Sequence, residues 1–156
     1  MKITLLLNGK TTIDYLSRGI EDYLTRLKHY VQLEVVVIPE VKSVKGLTTA
    51  TQMEREADQM LKRITPADHV VLLDEHGREP RSLELAAWLE KRQASSQRIV
   101  FIVGGPYGFS PRIKQRANEL MSLSRLTFSH QMIRLLFVEQ LYRAYTIIKG
   151  EPYHHE

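Results

Sequence analysis

Apolar residues recur along this chain in two rhythms. "KITLLLN", residues 2–8, is a short continuous apolar run of the length of a buried strand. "IDYLSRGIEDYLTRLKHY" follows, with Ile13, Leu16, Ile20, Tyr23, Leu24 and Leu27 at helical spacing. The alternation then repeats: strand-like "QLEVVVI", helical "TQMEREADQMLKRI", strand-like "DHVVLLD", a helix from Ser82 to Gln93, and the strand "RIVFIV". Beyond it the pattern predicts a helix with Ser110 as cap and Pro111 as first residue, a short strand "SLSRLT", and a long C-terminal helix over residues 131–149. Strands alternating with helices imply an α/β fold, a largely parallel sheet covered on both faces. No repeat or linker breaks the chain, so residues 1–156 read as one domain. The longest irregular stretch, "PEVKSVKGLTT" at residues 39–49, reads as a mobile loop.

Composition narrows the chemistry. A chain of 156 residues can bury roughly 70% of the surface it exposes unfolded, so it needs no covalent staples. There is no cysteine, hence no disulfide, thiolate metal site or cysteine nucleophile. Of six histidines only His154 and His155 adjoin, and no HExxH spacing occurs, so no metal site is expected. The first apolar run is too short to span a bilayer and resembles no signal peptide, which points to the cytoplasm. A net charge of +4 leans only mildly toward polyanions.

"VFIVGGPYGFS", residues 100–110, carries the strongest local signal, a strand running into three glycines within five positions. The dinucleotide fingerprint fails here, because the glycines follow the fourth strand and Pro106 takes the second glycine's place. "NGKTT" at residues 8–12 fails as a P-loop, since Thr4 stands where the first glycine belongs. Pro106 lacks an N–H, so the loop suits a ligand that is uncharged where they meet. Without a ligand, the glycines would simply make a tight strand-to-helix turn. The long C-terminal helix is apolar nearly all round: Ile133, Phe137, Leu141 and Ile148 on one arc, Leu135, Leu136, Tyr142 and Ile147 on the other. Such a helix needs two burial partners, and a homodimer is the economical reading. Glu139 and Arg143 share its polar stripe at i, i+4. On these residues alone, a non-catalytic α/β module holding a small metabolite stays open.

"VGGPYG", "LSRLTF", "HQMIRLLFVEQLYRAYTI" and "PYHHE", in this order and at these spacings, resemble the RlmH-type branch of the SPOUT methyltransferases. The resemblance covers the whole chain and is strongest after Arg98. It implies a C-terminal trefoil knot, a homodimer, S-adenosylmethionine as methyl donor, and ribosomal large subunit RNA as substrate. The implied product is N3-methylated pseudouridine in helix 69 of that RNA. A related knotted enzyme acting on a transfer RNA ribose is the rival within the fold. By the same likeness Leu73, Gly104, Leu123, Ser124, Arg125, Leu126, Thr127 and Phe128 would line the cofactor pocket. One position departs: Ser129 stands where the family usually has proline, which frees a φ angle and adds an N–H.

In-line methyl transfer asks mainly for positioning. The proton on N3 must also leave, and His154, His130 and Glu139 are the candidate acceptors. Each has a plainer alternative: His130 can cap the long helix, Glu139 can pair only with Arg143, and His154 can lie in a frayed end. The family ends in a similar Tyr-His pair, which favours His154. Tyr153 is placed to stack on a base, and Arg143 with Arg134 to meet phosphate or steady the dimer. A structured ribosomal particle suits so modest a charge better than free RNA.

Overall fold

The computed structural model describes residues 2–41 and 46–156. These residues form β1 (Lys2–Asn8), α1 (Asp14–Leu27), β2 (Gln32–Ile38), α2 (Thr49–Leu61), β3 (His69–Arg78), α3 (Ser82–Gln93), β4 (Ile99–Val103), α4 (Pro111–Arg116), β5 (Glu119–Met121) and α5 (Met132–Ile148). All strand pairings are parallel, and the sheet runs β2-β1-β4-β3-β5. The centre of the 39–49 loop, residues 42–45, lies outside the described residues; its end supplies Thr48, whose hydroxyl accepts from Thr51 N and starts α2.

Burial on both faces explains why β1, β3 and β4 read as continuous apolar runs. On one face Ile3, Leu5, Leu7, Val71, Leu73, Phe101 and Val103 pack with residues of α1, α3 and α5. On the other, Leu6, Val70, Leu72, Val100 and Ile102 meet Ala57 and Met60 of α2 and Ile113 of α4. Each fully buried aliphatic or aromatic side chain contributes about 1.5–3 kcal/mol. Phe101 and Phe137, with ring centroids 4.7 Å apart, join sheet to α5 at the centre.

Three sequence expectations change. The segment "SLSRLT" is not a strand, because its serines hold their own backbone: Ser122 Oγ donates to Ser124 O at 2.7 Å, and Ser124 Oγ accepts from Leu126 N at 3.0 Å. The strand is the shorter "ELM" just before it. β3 runs four residues past Asp74, and its pairing with β5 shifts between Leu73 and Arg78. Finally, α5 finds its burial partners within the chain, lying between α1 and α3 against the sheet. The two-sided helix therefore does not by itself demand a second copy, although Leu136 and Ile147 remain half-buried.

Candidate functional site

A cavity of about 810 Å³ opens beyond the ends of β4 and β5, beside residues 73–76 of β3. Leu73, Val103, the glycine turn 104–108, residues 122–124 and 126–130, Ile133 and Met53 of α2 are among its lining. The glycines both turn the chain and shape the wall. Gly108 sits at φ +83°, closing a turn in which its N–H donates to Gly105 O at 3.2 Å. A Cβ on Gly104 would lie 3.2 Å from the Phe109 ring and 3.3 Å from Gly108 O, so the bare backbone lets the turn pack closely on Phe109.

Seven of the eight residues assigned to cofactor by resemblance line this cavity: Leu73, Gly104, Leu123, Ser124, Leu126, Thr127 and Phe128. Arg125 does not. Its side chain is 92% exposed and pairs with Glu79 at 3.2 Å. Thr127 Oγ1 donates to Glu75 Oε2 at 2.9 Å, tying the loop to the β3 extension. His130 also lines the cavity. Burial, helped by the nearby Arg134 charge and opposed by Glu40, holds its imidazole below the ordinary histidine range, so it is neutral near pH 7. Ser129 Oγ accepts from Met132 N at 3.1 Å, a bond that a proline could not make, and its carbonyl accepts from Ile133 N at 3.0 Å. It is Ser129, rather than His130, that caps α5.

The remaining predicted residues gather elsewhere. Arg143 donates to Glu139 Oε1 at 2.6 Å, and Tyr153 OH donates to the same oxygen at 3.0 Å. The Tyr153 hydroxyl also lies 3.1 Å from that of Tyr23 on α1, its ring meets Tyr142 edge-on, and the Arg143 guanidinium sits over it at 4.8 Å. Burial and then the bonds to Tyr23 and Glu139 push the Tyr153 phenol upward, so it stays protonated. His154 Nδ1 is 3.2 Å from Arg143 Nη1. The tail is thus docked on α5 and α1 rather than frayed, and none of Glu139, Arg143, Tyr153 or His154 lines the cavity of its own chain.

Arg134 belongs to neither group. It is fully buried and donates to the carbonyls of Asn8, Gly9 and His130 and to Thr11 Oγ1, all at 2.9–3.0 Å. The predicted contact with phosphate is excluded by that burial; the side chain instead ties α5 to the exit of β1. Three further features had no sequence signal. Lys114 and Met53 face the cavity, Gly77 passes against the β5 backbone, and Glu56, 2% exposed, lies beside Asn8 and Gly105. Burial raises the Glu56 carboxyl above the ordinary range.

The model of a family described as predicted SPOUT methyltransferase matches residues 1–154. Full-length relatives include proteins named ribosomal RNA large subunit methyltransferase H from Bacteroides fragilis (52% identical) and Phocaeicola vulgatus (53%), each aligned over 100% of both chains. Among solved structures, a tRNA (m1G37) methyltransferase from Aquifex aeolicus shares the fold at 16% identity and a TM-score of 0.56, over 100% of this chain and 75% of that one. A putative methylase family protein from Neisseria gonorrhoeae matches at 11% identity and a TM-score of 0.52, over 99% and 85%. With the family model spanning nearly its whole length, the chain belongs to the SPOUT methyltransferases.

Proposed function

We propose that the protein methylates N3 of a pseudouridine in helix 69 of the ribosomal large subunit RNA, using S-adenosylmethionine, as a homodimer with a knotted C-terminal region. The observation that carries the reading is the cavity itself, a recess of nucleoside-ligand size in which Leu73, Val103, Leu123 and Phe128 stand beside polar side chains and the glycine turn 104–108. The names of the full-length relatives support the RNA class. The residues fit the cofactor: Leu73, Leu123 and Phe128 offer apolar walls to an adenine, while backbone groups of the glycine turn and of residues 123–128 offer donors and acceptors. When bound, S-adenosylmethionine would supply an electrophilic methyl carbon for transfer to N3. The chain's own residues orient the base, exclude water and receive or steer the N3 proton.

Within one chain the tail group and the cavity are separate, so a second copy placing Tyr153 and His154 over the cavity completes the site. Nucleoside mass spectrometry of ribosomal RNA from a deletion strain tests the assignment. Loss of N3-methylpseudouridine supports it. An unchanged ribosomal profile with a missing transfer RNA 2′-O-methyl group would replace it with the rival. Calorimetry without binding of S-adenosylmethionine or S-adenosylhomocysteine to folded protein would remove the enzyme reading altogether.

A further inference from the structure

We infer that His154 serves the reaction as a hydrogen-bond donor through Nε2, to a ring carbonyl oxygen beside N3, and not as the base that removes the proton. The inference rests on the proposed RNA methylation, but its first premise is independent of any substrate. Arg143 Nη1 lies 3.2 Å from His154 Nδ1. A guanidinium has only donors, so Nδ1 must present its lone pair, and the single proton of the neutral ring is then on Nε2. Neither nitrogen is free to accept: Nδ1 is engaged by Arg143, and Nε2 already carries hydrogen.

That Nε2–H is buried and has no hydrogen-bond partner among the described residues, although the side chain as a whole is 13% exposed. Leaving a buried donor unmatched is costly, which suits a group held for a ligand. Glu156 Oε1 lies 3.9 Å from Nε2, too long for a bond, and accepts from Arg81 Nη2 at 3.3 Å. The charged and titratable groups around His154 are Arg143 and Glu139 of α5, Tyr153 and Glu156 of the tail, Tyr23 of α1 through Tyr153, and Arg81 before α3.

The chemistry makes such a donor useful. Loss of the N3 proton leaves negative charge spread onto the two flanking carbonyl oxygens, and a donor aimed at one of them stabilises that charge as it develops. The proton itself passes to another acceptor, solvent or the neutral imidazole of His130.

Two measurements test this. In nitrogen-15 spectra of the histidine-labelled free protein at pH 7, His154 should show Nδ1 bare and Nε2 protonated; the opposite tautomer, or an imidazolium, overturns the inference with no RNA present. In single-turnover methylation of ribosomes, His154→Ala should lower the rate about 100-fold or more, while His154→Gln, which restores an N–H near the Nε2 position, recovers at least about 10-fold of that loss. Both variants should keep the wild-type pH dependence and affinity for S-adenosylhomocysteine. A His154→Gln protein as slow as His154→Ala, with an ascending pH limb removed, identifies a base and refutes the donor. A rise in KM alone would mean a phosphate contact and refutes it equally. Wild-type protein that methylates no ribosomal RNA defeats the proposed function instead, whatever the spectra show.

Discussion

Replacing Gly77 by alanine should damage both the fold and the cavity, although Gly77 touches no predicted site residue. A Cβ at this position would lie 2.5 Å from both Leu120 C and Met121 N and 2.6 Å from Leu120 O. These are backbone atoms, with no flexible end to swing aside. To reach ordinary contact at 3.4 Å, the β3 extension and β5 must part by about 0.9 Å, in an interior that has little slack. The bond from Ser122 N to Arg78 O, 2.8 Å long, spans the same junction and would be lost. Overpacking costs about 1–3 kcal/mol and a backbone hydrogen bond about 1 kcal/mol, so Gly77→Ala should destabilise by roughly 2–4 kcal/mol. Urea unfolding should show a lower midpoint at unchanged m, with Tm falling on the order of 10 °C. Because β5 leads directly into residues 122–130, calorimetric affinity for S-adenosylhomocysteine should fall as well. Gly150→Ala is the control, since a Cβ there meets nothing within 4 Å and only its φ of +70° is strained. A Gly77→Ala protein with the wild-type midpoint would refute the close approach.

Arg134→Lys keeps the charge but cannot reach Asn8, Gly9, His130 and Thr11 together, so it should cost about 3 kcal/mol or more in urea unfolding, with carbonyls left unmatched. Glu56, whose carboxyl is raised by burial, favours the fold fully below its unfolded value and loses that contribution as pH rises through the folded one. Glu56→Gln should therefore raise Tm at pH 8 and give no gain at pH 4; equal shifts at both would contradict a raised carboxyl. Tyr153→Phe removes the hydroxyl shared with Glu139 and Tyr23, and should slow methylation of ribosomes while leaving S-adenosylhomocysteine affinity intact. Sedimentation should show a dimer at micromolar concentration, weakened by Leu136→Glu; a fully active monomer would count against the shared site.

The fold is legible in the sequence where periodicity has a single physical cause. The runs of β1 and β4 are continuous because both faces are covered, and Ser110–Pro111 opens α4 with Ser110 Oγ accepting from Ile113 N. The pattern misplaces β5 by a few residues: "SLSRLT" alternates like a strand, but its hydroxyls capture the backbone, while "ELM" is too short to show any period. Glu139 and Arg143 announce themselves by spacing. Arg134 does not, because its partners are main-chain carbonyls, and any residue can supply those. Glu56 and Gly77 are invisible for the same reason, their roles being set by neighbours distant in sequence. The residues of the cavity wall are reached through resemblance, since a loop of Leu, Ser and Thr carries no chemical signature of its own.

Arg134 has one more consequence. It fastens α5 to residues up to 126 positions earlier in the chain, while the bond from Ser122 N to Arg78 O fastens the other end of the cavity wall. The wall is therefore a short span with both ends already fixed when the protein folds. The entropy of closing that loop is spent on folding and is not charged again to a ligand, which has only to quiet a few residues between the anchors. Part of the affinity of the cavity is thus determined by a guanidinium that no ligand in it can touch.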